Sequence, residues 1–213
     1  MKAYFQGVLD SGVSFDGAPL TPGERASIES DLRFADRYAT TPLDFTPAAP
    51  TDLVTDHLTL HLGGRRIELI YPGRGHTAGD LVIHLPDDGV LITGDLVTLP
   101  VPLVGTTSFP HDFATSLDTL VALHPRVIVP GHGPVLRGDF YLREETALLH
   151  HLVSQADSAV ARGDSLAGYV AAANLRPWRV RFVGEDKVGR ILFSSYVVGP
   201  GTQRTFEEAT AGR

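Results

Sequence analysis

Apolar residues near the start of the chain recur with the period of an α-helix. Residues 2–10 carry an apolar face that ends near Gly12, which predicts a short first helix. The capping sequence Thr21-Pro22-Gly23-Glu24 predicts the start of a second helix, which Thr41-Pro42 would end. Both helices are amphipathic, so they either cover a core or form a flap over a site. A proline- and threonine-rich connector over residues 43–56 follows them.

The middle of the chain alternates apolar and polar residues with the period of a β-strand. His57–Leu62 places leucines on one face and polar side chains on the other, which predicts a half-buried strand. Gly63-Gly64 turns the chain into a second strand, and residues 81–93 predict another hairpin, whose apolar run at 90–93 predicts a strand buried on both sides. Histidines four residues apart on a strand lie about 13 Å apart. His57 and His61 are therefore predicted to face solvent or a neighbouring layer and not to share a metal ion.

Helical periodicity returns in the second half of the chain. Asp112 is predicted to cap a helix, and residues 126–129 predict a short buried strand. Asp139 is predicted to cap a longer helix that ends at Gly163.

The C-terminal part of the chain is predicted to be less regular. A short helix starts at Ser165, an irregular segment surrounds Pro177-Trp178, and a further helix covers residues 187–197. The tail after Gly199 is polar, and disorder is expected there.

Length and composition are typical of one globular domain. With 213 residues, of which 43% are hydrophobic and 20% charged, the chain can bury one sizeable core. We therefore predict a single domain over residues 1–213 of mixed α/β class. Its parts are a helical segment at 1–50, a β-rich region at 57–135 and a helical region at 139–199.

Charge and residue usage exclude several classes of partner and site. The net charge of −7 and the absence of a basic cluster argue against nucleic acid or a membrane as a partner. Because the sequence has no cysteine, any metal ion must be held by nitrogen and oxygen ligands. No apolar run approaches the length of a membrane span and the first residues do not resemble a signal peptide, which favours a soluble, cytoplasmic location.

Three glycine-rich motifs each follow a β-rich run. They are Gly75-His76-Thr77, Gly94-Asp95 and Pro130-Gly131-His132-Gly133. Imidazole and carboxylate groups bind zinc at about 2.0–2.2 Å, and loops at the ends of separate strands can converge on an ion. The small neighbours of the two histidines also let the backbone approach a ligand closely. We therefore predict His76, Asp95 and His132 as metal ligands.

Simpler interpretations of these residues stay open. A hydrogen-bonded loop histidine would explain His76 or His132, and a turn or helix cap would explain Asp95. Thr77 and Asp80 are predicted to orient the ligands from behind, although turn chemistry explains Asp80 equally well.

The remaining titratable residues are assigned to structure or surface. Glu144 and Glu145 are predicted to be solvated charges on a helix. His111 directly follows the loop of residues 96–110, which we predict to line the substrate mouth, so it could touch a substrate. The other histidines given a structural or surface role are His84, His124, His150 and His151.

In this order, the three motifs resemble the second half of the metallo-β-lactamase superfamily of hydrolases, and the resemblance covers residues 58–135 and the following helix. It implies a four-layer αββα sandwich. It also implies zinc as cofactor, with Asp95 bridging two ions and His76 and His132 each binding one. In the implied mechanism, a hydroxide between two ions about 3.5–4 Å apart attacks a carbonyl or phosphoryl centre. No serine elbow or phosphate loop occurs in the sequence, so the nucleophile would be water.

The sequence departs from the family pattern upstream. The His-x-His-x-Asp-His motif that supplies the remaining four ligands does not occur in residues 1–75. One hypothesis is a zinc-dependent hydrolase of a small ester, thioester, lactone or β-lactam-like amide, truncated or impaired. The alternative is a non-catalytic fragment or pseudoenzyme without a complete metal site. A small-molecule substrate is the expected partner, and a homodimer would cover the sheet face that absent N-terminal strands leave open.

Overall fold

The first of two units in the chain is helical. The computed structural model describes residues 2–13, 19–40 and 48–211, and the chain divides into the units Met1–Leu53 and Val54–Arg213. The first unit contains helices α1 (Lys2–Ser11) and α2 (Pro22–Thr40), which confirms both predicted helices. The predicted helix end at Thr41-Pro42 and residues 43–47 of the connector lie outside the described residues. The single-domain organisation and the flap stay predictions.

The second unit is built on a six-stranded sheet. The strands are β1 (His57–Leu62), β2 (Arg65–Ile70), β3 (Val82–Leu85), β4 (Val90–Thr98), β5 (Val127–His132) and β6 (Leu136–Arg137), and they lie in this order across the sheet. Neighbouring strands are antiparallel except β4 and β5, which are parallel. Both predicted hairpins and the mixed α/β class are confirmed. The sheet is consistent with the expected αββα sandwich.

Strand β4 is longer than the sequence predicts. Its pairing with β5 shifts between Ile92 and Gly94, where Gly94 adopts a positive φ of 53°, and the strand then continues to Thr98. Asp95 therefore lies inside β4 and not just past its end, which corrects the prediction. A bulge of this kind changes the direction in which the following side chains point. The bulge can thus point the Asp95 carboxylate in a direction that regular strand alternation would not give it.

Two long helices cover one face of the sheet. Helices α3 (Pro110–Ala122) and α4 (Phe140–Arg162) pack against a cluster that includes the buried Leu91 and Ile128. The cluster's largest helical side chains are the fully buried Phe113, Leu117, Leu120, Leu142 and Leu149. Gly163 ends α4 in the left-handed conformation, as predicted. Asp112 lies in the first turn of α3 and does not cap it, because Phe109 occupies the cap position ahead of Pro110.

Glu145 is a buried member of α4. It is 0% exposed, and neither of its carboxyl oxygens finds a hydrogen-bond partner among the described residues. Burial raises its pKa well above the ordinary range of a glutamate. The prediction that Glu145 is a solvated charge is therefore wrong, because this residue shares a helical face with Leu142 and Leu149. The neighbouring Glu144 instead accepts a hydrogen bond from Arg181 at 3.2 Å.

The opposite face of the sheet is accessible. Leu58, Leu60 and Leu62 of β1 are 38%, 44% and 71% exposed, and Ile92 of β4 is only partly buried. The predictions of a half-buried β1 and of a β4 buried on both sides are therefore wrong. Alternate residues of a strand point to opposite faces of the sheet. Helices α3 and α4 cover only the face opposite these leucines. The homodimer that would cover this face stays a prediction.

The C-terminal part consists of a series of helices joined by short connections. It comprises α5 (Leu166–Ala172), α6 (Arg176–Val183), α7 (Lys187–Phe193), a π-helical turn (Ser194–Val198) and α8 (Gly199–Ala211). The irregular segment at Pro177-Trp178 and the disordered tail were wrong expectations. The polar sequence of α8 led to the wrong prediction of disorder. In the structure, Thr202 and Thr205 are fully buried, and their hydroxyls donate to carbonyl oxygens of the preceding turn. In the described part of the chain, no helix has the length and apolar character that crossing a membrane requires.

Candidate metal centre

The three predicted ligands come together near the C-terminal parts of β4 and β5. His76 lies in the turn between β2 and β3, Asp95 follows the bulge in β4, and His132 ends β5. Because β4 and β5 run parallel, with Gly94 opposite Pro130 and Thr98 opposite His132, their C-terminal parts lie side by side. The sheet topology thus brings together residues that are far apart in the sequence.

Asp95 directs one carboxyl oxygen to each histidine. Its Oδ1 lies 3.5 Å from His132 Nε2, and its Oδ2 lies 3.9 Å from His76 Nε2. Ligands on one tetrahedral zinc ion, bound at about 2.0–2.2 Å, are about 3.4 Å apart. The two distances are therefore close to those of neighbouring ligands. A carboxylate that presents separate oxygens to separate imidazoles is suited to bridge two ions.

Neither ion would find a full set of ligands here. Within residues 2–13, 19–40 and 48–211, no three His, Asp or Glu side chains converge closely enough to hold one ion. The structure therefore supplies two half-sites, each with one imidazole nitrogen and one carboxylate oxygen. The nitrogen and oxygen donors fit zinc in type. Ligation by His76, Asp95 and His132 stays a prediction.

The ring of His76 is held in one orientation. Its Nδ1 lies 2.8 Å from the carbonyl oxygen of Leu103. Since a carbonyl oxygen only accepts, Nδ1 must carry the proton, and the neutral ring leaves the lone pair of Nε2 free. That nitrogen is the one that faces Asp95. Hydrogen bonding of this kind orients metal-binding histidines, and no sequence signal marks Leu103 because every residue has a carbonyl group.

Thr77 and Asp80 close the turn that carries His76. The Thr77 amide and hydroxyl donate to the two carboxyl oxygens of Asp80 at 2.7 and 2.8 Å, and the Gly75 amide donates to the Thr77 carbonyl at 2.9 Å. Asp80 thus organises the backbone on either side of His76 and does not contact its ring. A role for these two residues in metal binding stays a prediction.

Two buried serines, which sequence reasoning missed, fix the same turn from outside. Ser116 of α3 donates to the carbonyl oxygens of Pro72 and Arg74 at 3.1 and 2.9 Å. Ser108 is fully buried and lies 3.3 Å from the carbonyl oxygen of His76. Serine is common in loops and helices, so composition alone does not distinguish these positions.

Two glycines are required by close packing around the ligands. A Cβ atom on Gly75 would overlap the Leu96 side chain and lie 3.2 Å from Phe113. A Cβ atom on Gly131 would overlap a carboxyl oxygen of Asp95 and the backbone of Gly94. The glycine signature of the motifs therefore has a steric reason at these two positions.

The other histidines do not approach the three ligands. His57 and His61 are exposed, as predicted. His111 was predicted to be able to touch a substrate, and in the structure its ring nitrogens lie 3.1 Å from Glu208 and 3.0 Å from Asp157. Both nitrogens of this ring are therefore occupied by carboxylates.

Comparisons with known proteins agree with the motifs. Residues 10–132 match the model of the metallo-beta-lactamase superfamily. The chain is 31% identical over 81 residues to a metallo-beta-lactamase type 2 of Bacillus sp. (strain 170), covering 36% of this chain and 32% of that protein. It is 35% identical over 85 residues to a beta-lactamase-like protein 2 homolog of Caenorhabditis elegans, covering 39% and 27% respectively. The matched region thus spans about a third of the length of these relatives.

One solved structure shows similarity of fold. An inverting sec-alkylsulfatase from Pseudomonas sp. superposes with a TM-score of 0.52 at 17% identity, covering 59% of this chain and 22% of that protein. A metallo-beta-lactamase from Pontibacter korlensis matches at 25% identity with a TM-score of 0.43, covering 48% and 50%.

Proposed function

The chain belongs to the metallo-beta-lactamase superfamily, and we propose that it is a zinc-dependent hydrolase of a small ester, thioester, lactone or β-lactam-like amide. The observation that carries the proposal is the position of Asp95, which offers one oxygen to the Nε2 atom of each of two histidines. The relatives named as metallo-beta-lactamases support a β-lactam-like amide as one candidate reacting group.

The residues that would hold zinc are His76, Asp95 and His132. His76 would use Nε2, because Leu103 holds its Nδ1 proton. Bound zinc supplies Lewis acidity and lowers the pKa of water toward about 7, as hydrolysis at neutral pH requires. The chain's own part is to hold the ligands in place.

The loop after β4 is the proposed substrate mouth. It packs beside His76 through Leu103 and Ser108, which are both within hydrogen-bond distance of that residue. Its Val101 and Val104 are buried, whereas Thr106 and Thr107 are exposed. Exposed residues on an anchored loop are typical of a surface that contacts a small-molecule substrate.

A non-catalytic member of the family is the second candidate. The observation that favours it is that the described residues bring no more than two ligands to either ion. Structural and catalytic zinc sites usually have three or four protein ligands. Such a protein would keep the fold and bind metal weakly.

Hydrolysis of a panel of chromogenic substrates tests between these candidates. The panel comprises a nitrophenyl ester, a thioester, a lactone and a β-lactam, each assayed with added zinc and with a chelator. We expect zinc-dependent turnover of at least one class, which His76→Ala removes. The control is His61→Ala, an exposed histidine on β1, which should retain full activity. Turnover that survives His76→Ala would contradict the ligand assignment, and no turnover of any class would favour the non-catalytic candidate.

A further inference from the structure

The C-terminal helix α8 contacts the segment that holds His76. We propose that α8 is a positioning element for His76, and that Arg204 acts as the positioning residue through Ser108. The part of this inference that concerns zinc rests on the proposed function. The part that concerns the conformation of the His76 turn does not.

Arg204 binds the backbone at Ser108 with two nitrogen atoms. Its Nε and Nη2 each donate to the Ser108 carbonyl oxygen at 3.2 Å. The helix also approaches this loop closely, because a Cβ atom on Gly201 would lie 3.4 Å from Val104. A planar guanidinium that donates twice to one acceptor fixes that group more firmly than a single donor can. Arg204 thus holds the loop against α8.

The held segment supports His76 at three points. Leu103 accepts a hydrogen bond from the His76 ring at 2.8 Å, and the Ser108 hydroxyl lies 3.3 Å from the His76 carbonyl oxygen. The Phe109 amide donates to the Gly75 carbonyl oxygen at 2.8 Å. Movement of this segment would therefore shift both the ring and the backbone of His76.

A second contact ties α8 to the start of α3. The Glu208 carboxylate accepts hydrogen bonds from the His111 amide and from its Nδ1, both at 3.1 Å. Helix α3 has no side-chain cap of its own at Phe109. A carboxylate that accepts an unpaired amide in the first turn stabilises a helix start. Glu208 of α8 thus supplies the cap that α3 lacks. Its partner His111 lies two residues after Phe109, which belongs to the segment that Arg204 holds.

The His111 contact depends on pH. The hydrogen bond that His111 donates to the Glu208 carboxylate is the largest cause that raises the His111 pKa, from 6.5 to about 9, and Asp157 of α4 adds to it. Arg204 also faces Glu208, at 3.8 Å. Since the folded-state pKa lies above the unfolded value, the contact stabilises the fold fully below pH 6.5 and is lost as the pH rises through about 9. Alkaline pH should therefore loosen the attachment of α8.

Hydrogen exchange of the full chain tests the proposal without metal. In Arg204→Ala, the Phe109 and Thr77 amides should exchange about tenfold faster, as loss of a charged hydrogen bond implies. Arg204→Lys keeps the charge but loses the two-nitrogen contact, so it should lie between Arg204→Ala and the wild type. The matched control is Arg162→Ala, which removes an exposed pair with Asp164 and should exchange like the wild type.

Zinc titration of the same variants tests the functional part. Arg204→Ala should weaken zinc binding about 10- to 100-fold, the usual effect of losing a group that orients a ligand. Accelerated exchange in a protein whose wild type binds no zinc would contradict the proposed function and leave the positioning role supported. If Arg204→Ala does not fold, Arg204→Lys carries the test. Folded Arg204→Lys with wild-type exchange and wild-type zinc affinity would overturn the proposal.

A pH titration tests the Glu208 contact. The free energy of unfolding of the wild type should fall between pH 6.5 and 9, and Glu208→Gln should show a smaller fall because His111 then titrates nearer its ordinary pKa. Equal pH dependence in both proteins would contradict the role given to Glu208.

Discussion

The two histidines of the candidate centre sit on glycine-rich turns, yet the structure holds them very differently. The His76 side chain is 20% exposed, with its ring bonded to Leu103 and its backbone carbonyl beside Ser108. The His132 side chain is 63% exposed, and its ring nitrogen Nε2 lies 3.5 Å from Asp95. One histidine is oriented by the fold, and the other is positioned mainly by its backbone.

This difference shows that a shared motif does not imply a shared degree of preorganisation. The His132 carbonyl oxygen accepts a hydrogen bond from the Leu99 amide at 3.1 Å, so its main chain is fixed although its ring is not. An ion that binds near His132 would have to order that ring, at a cost in side-chain entropy. The His76 ring has already lost that freedom in the folded protein.

A steric change behind His76 should disturb its well-packed turn most strongly. Gly75→Ala should lower the free energy of unfolding by about 1–3 kcal/mol, the usual range for an overpacked core, because the new methyl group would overlap Leu96 and crowd Phe113. Urea unfolding of the metal-free protein measures this. Gly79→Ala is the matched control, since nothing lies within 4 Å of a Cβ atom there, and it should change stability by less than about 0.5 kcal/mol. Equal stability of the two variants would show that the turn is loosely packed.

A smaller effect should separate the two histidines themselves. In metal-free protein, His76→Ala should lower the free energy of unfolding by about 1 kcal/mol, because it removes the hydrogen bond to the Leu103 carbonyl oxygen. His132→Ala should change stability by less than about 0.5 kcal/mol, because its side chain is largely exposed. Urea unfolding compares the two variants directly. A larger loss of unfolding free energy for His132→Ala than for His76→Ala would show that the fold does not hold His76 more firmly.

The regular elements and the candidate ligands could be predicted because their signals are local. Periodicity identified α1 to α4 and both hairpins, and the glycine neighbours of His76 and His132 marked the turns that the structure brings together. Small residues at such positions reflect a steric requirement that the sequence records directly. The structure brings the three side chains close together, and ligation itself stays a prediction.

What could not be predicted depends on packing between distant segments. The Leu103 carbonyl that orients His76 has no side-chain signature, and Arg204 reaches Ser108 across 96 positions. Glu145 looked solvated because its charge was visible in the sequence and the layer that covers it was not. In α8, the buried threonines satisfy their hydroxyls within the helix, so a polar sequence forms a packed element.

We propose that His76 and His132 each bind a separate ion and that Asp95 joins the two. Calorimetric titration with zinc, with the bound metal then measured by elemental analysis, tests this in the wild type, His76→Ala and His132→Ala. We expect two zinc ions per wild-type chain at saturation and the loss of one ion in each variant, because each ring nitrogen faces a separate oxygen of Asp95. A wild type that binds no zinc, or a variant that binds as many ions as the wild type, would contradict it.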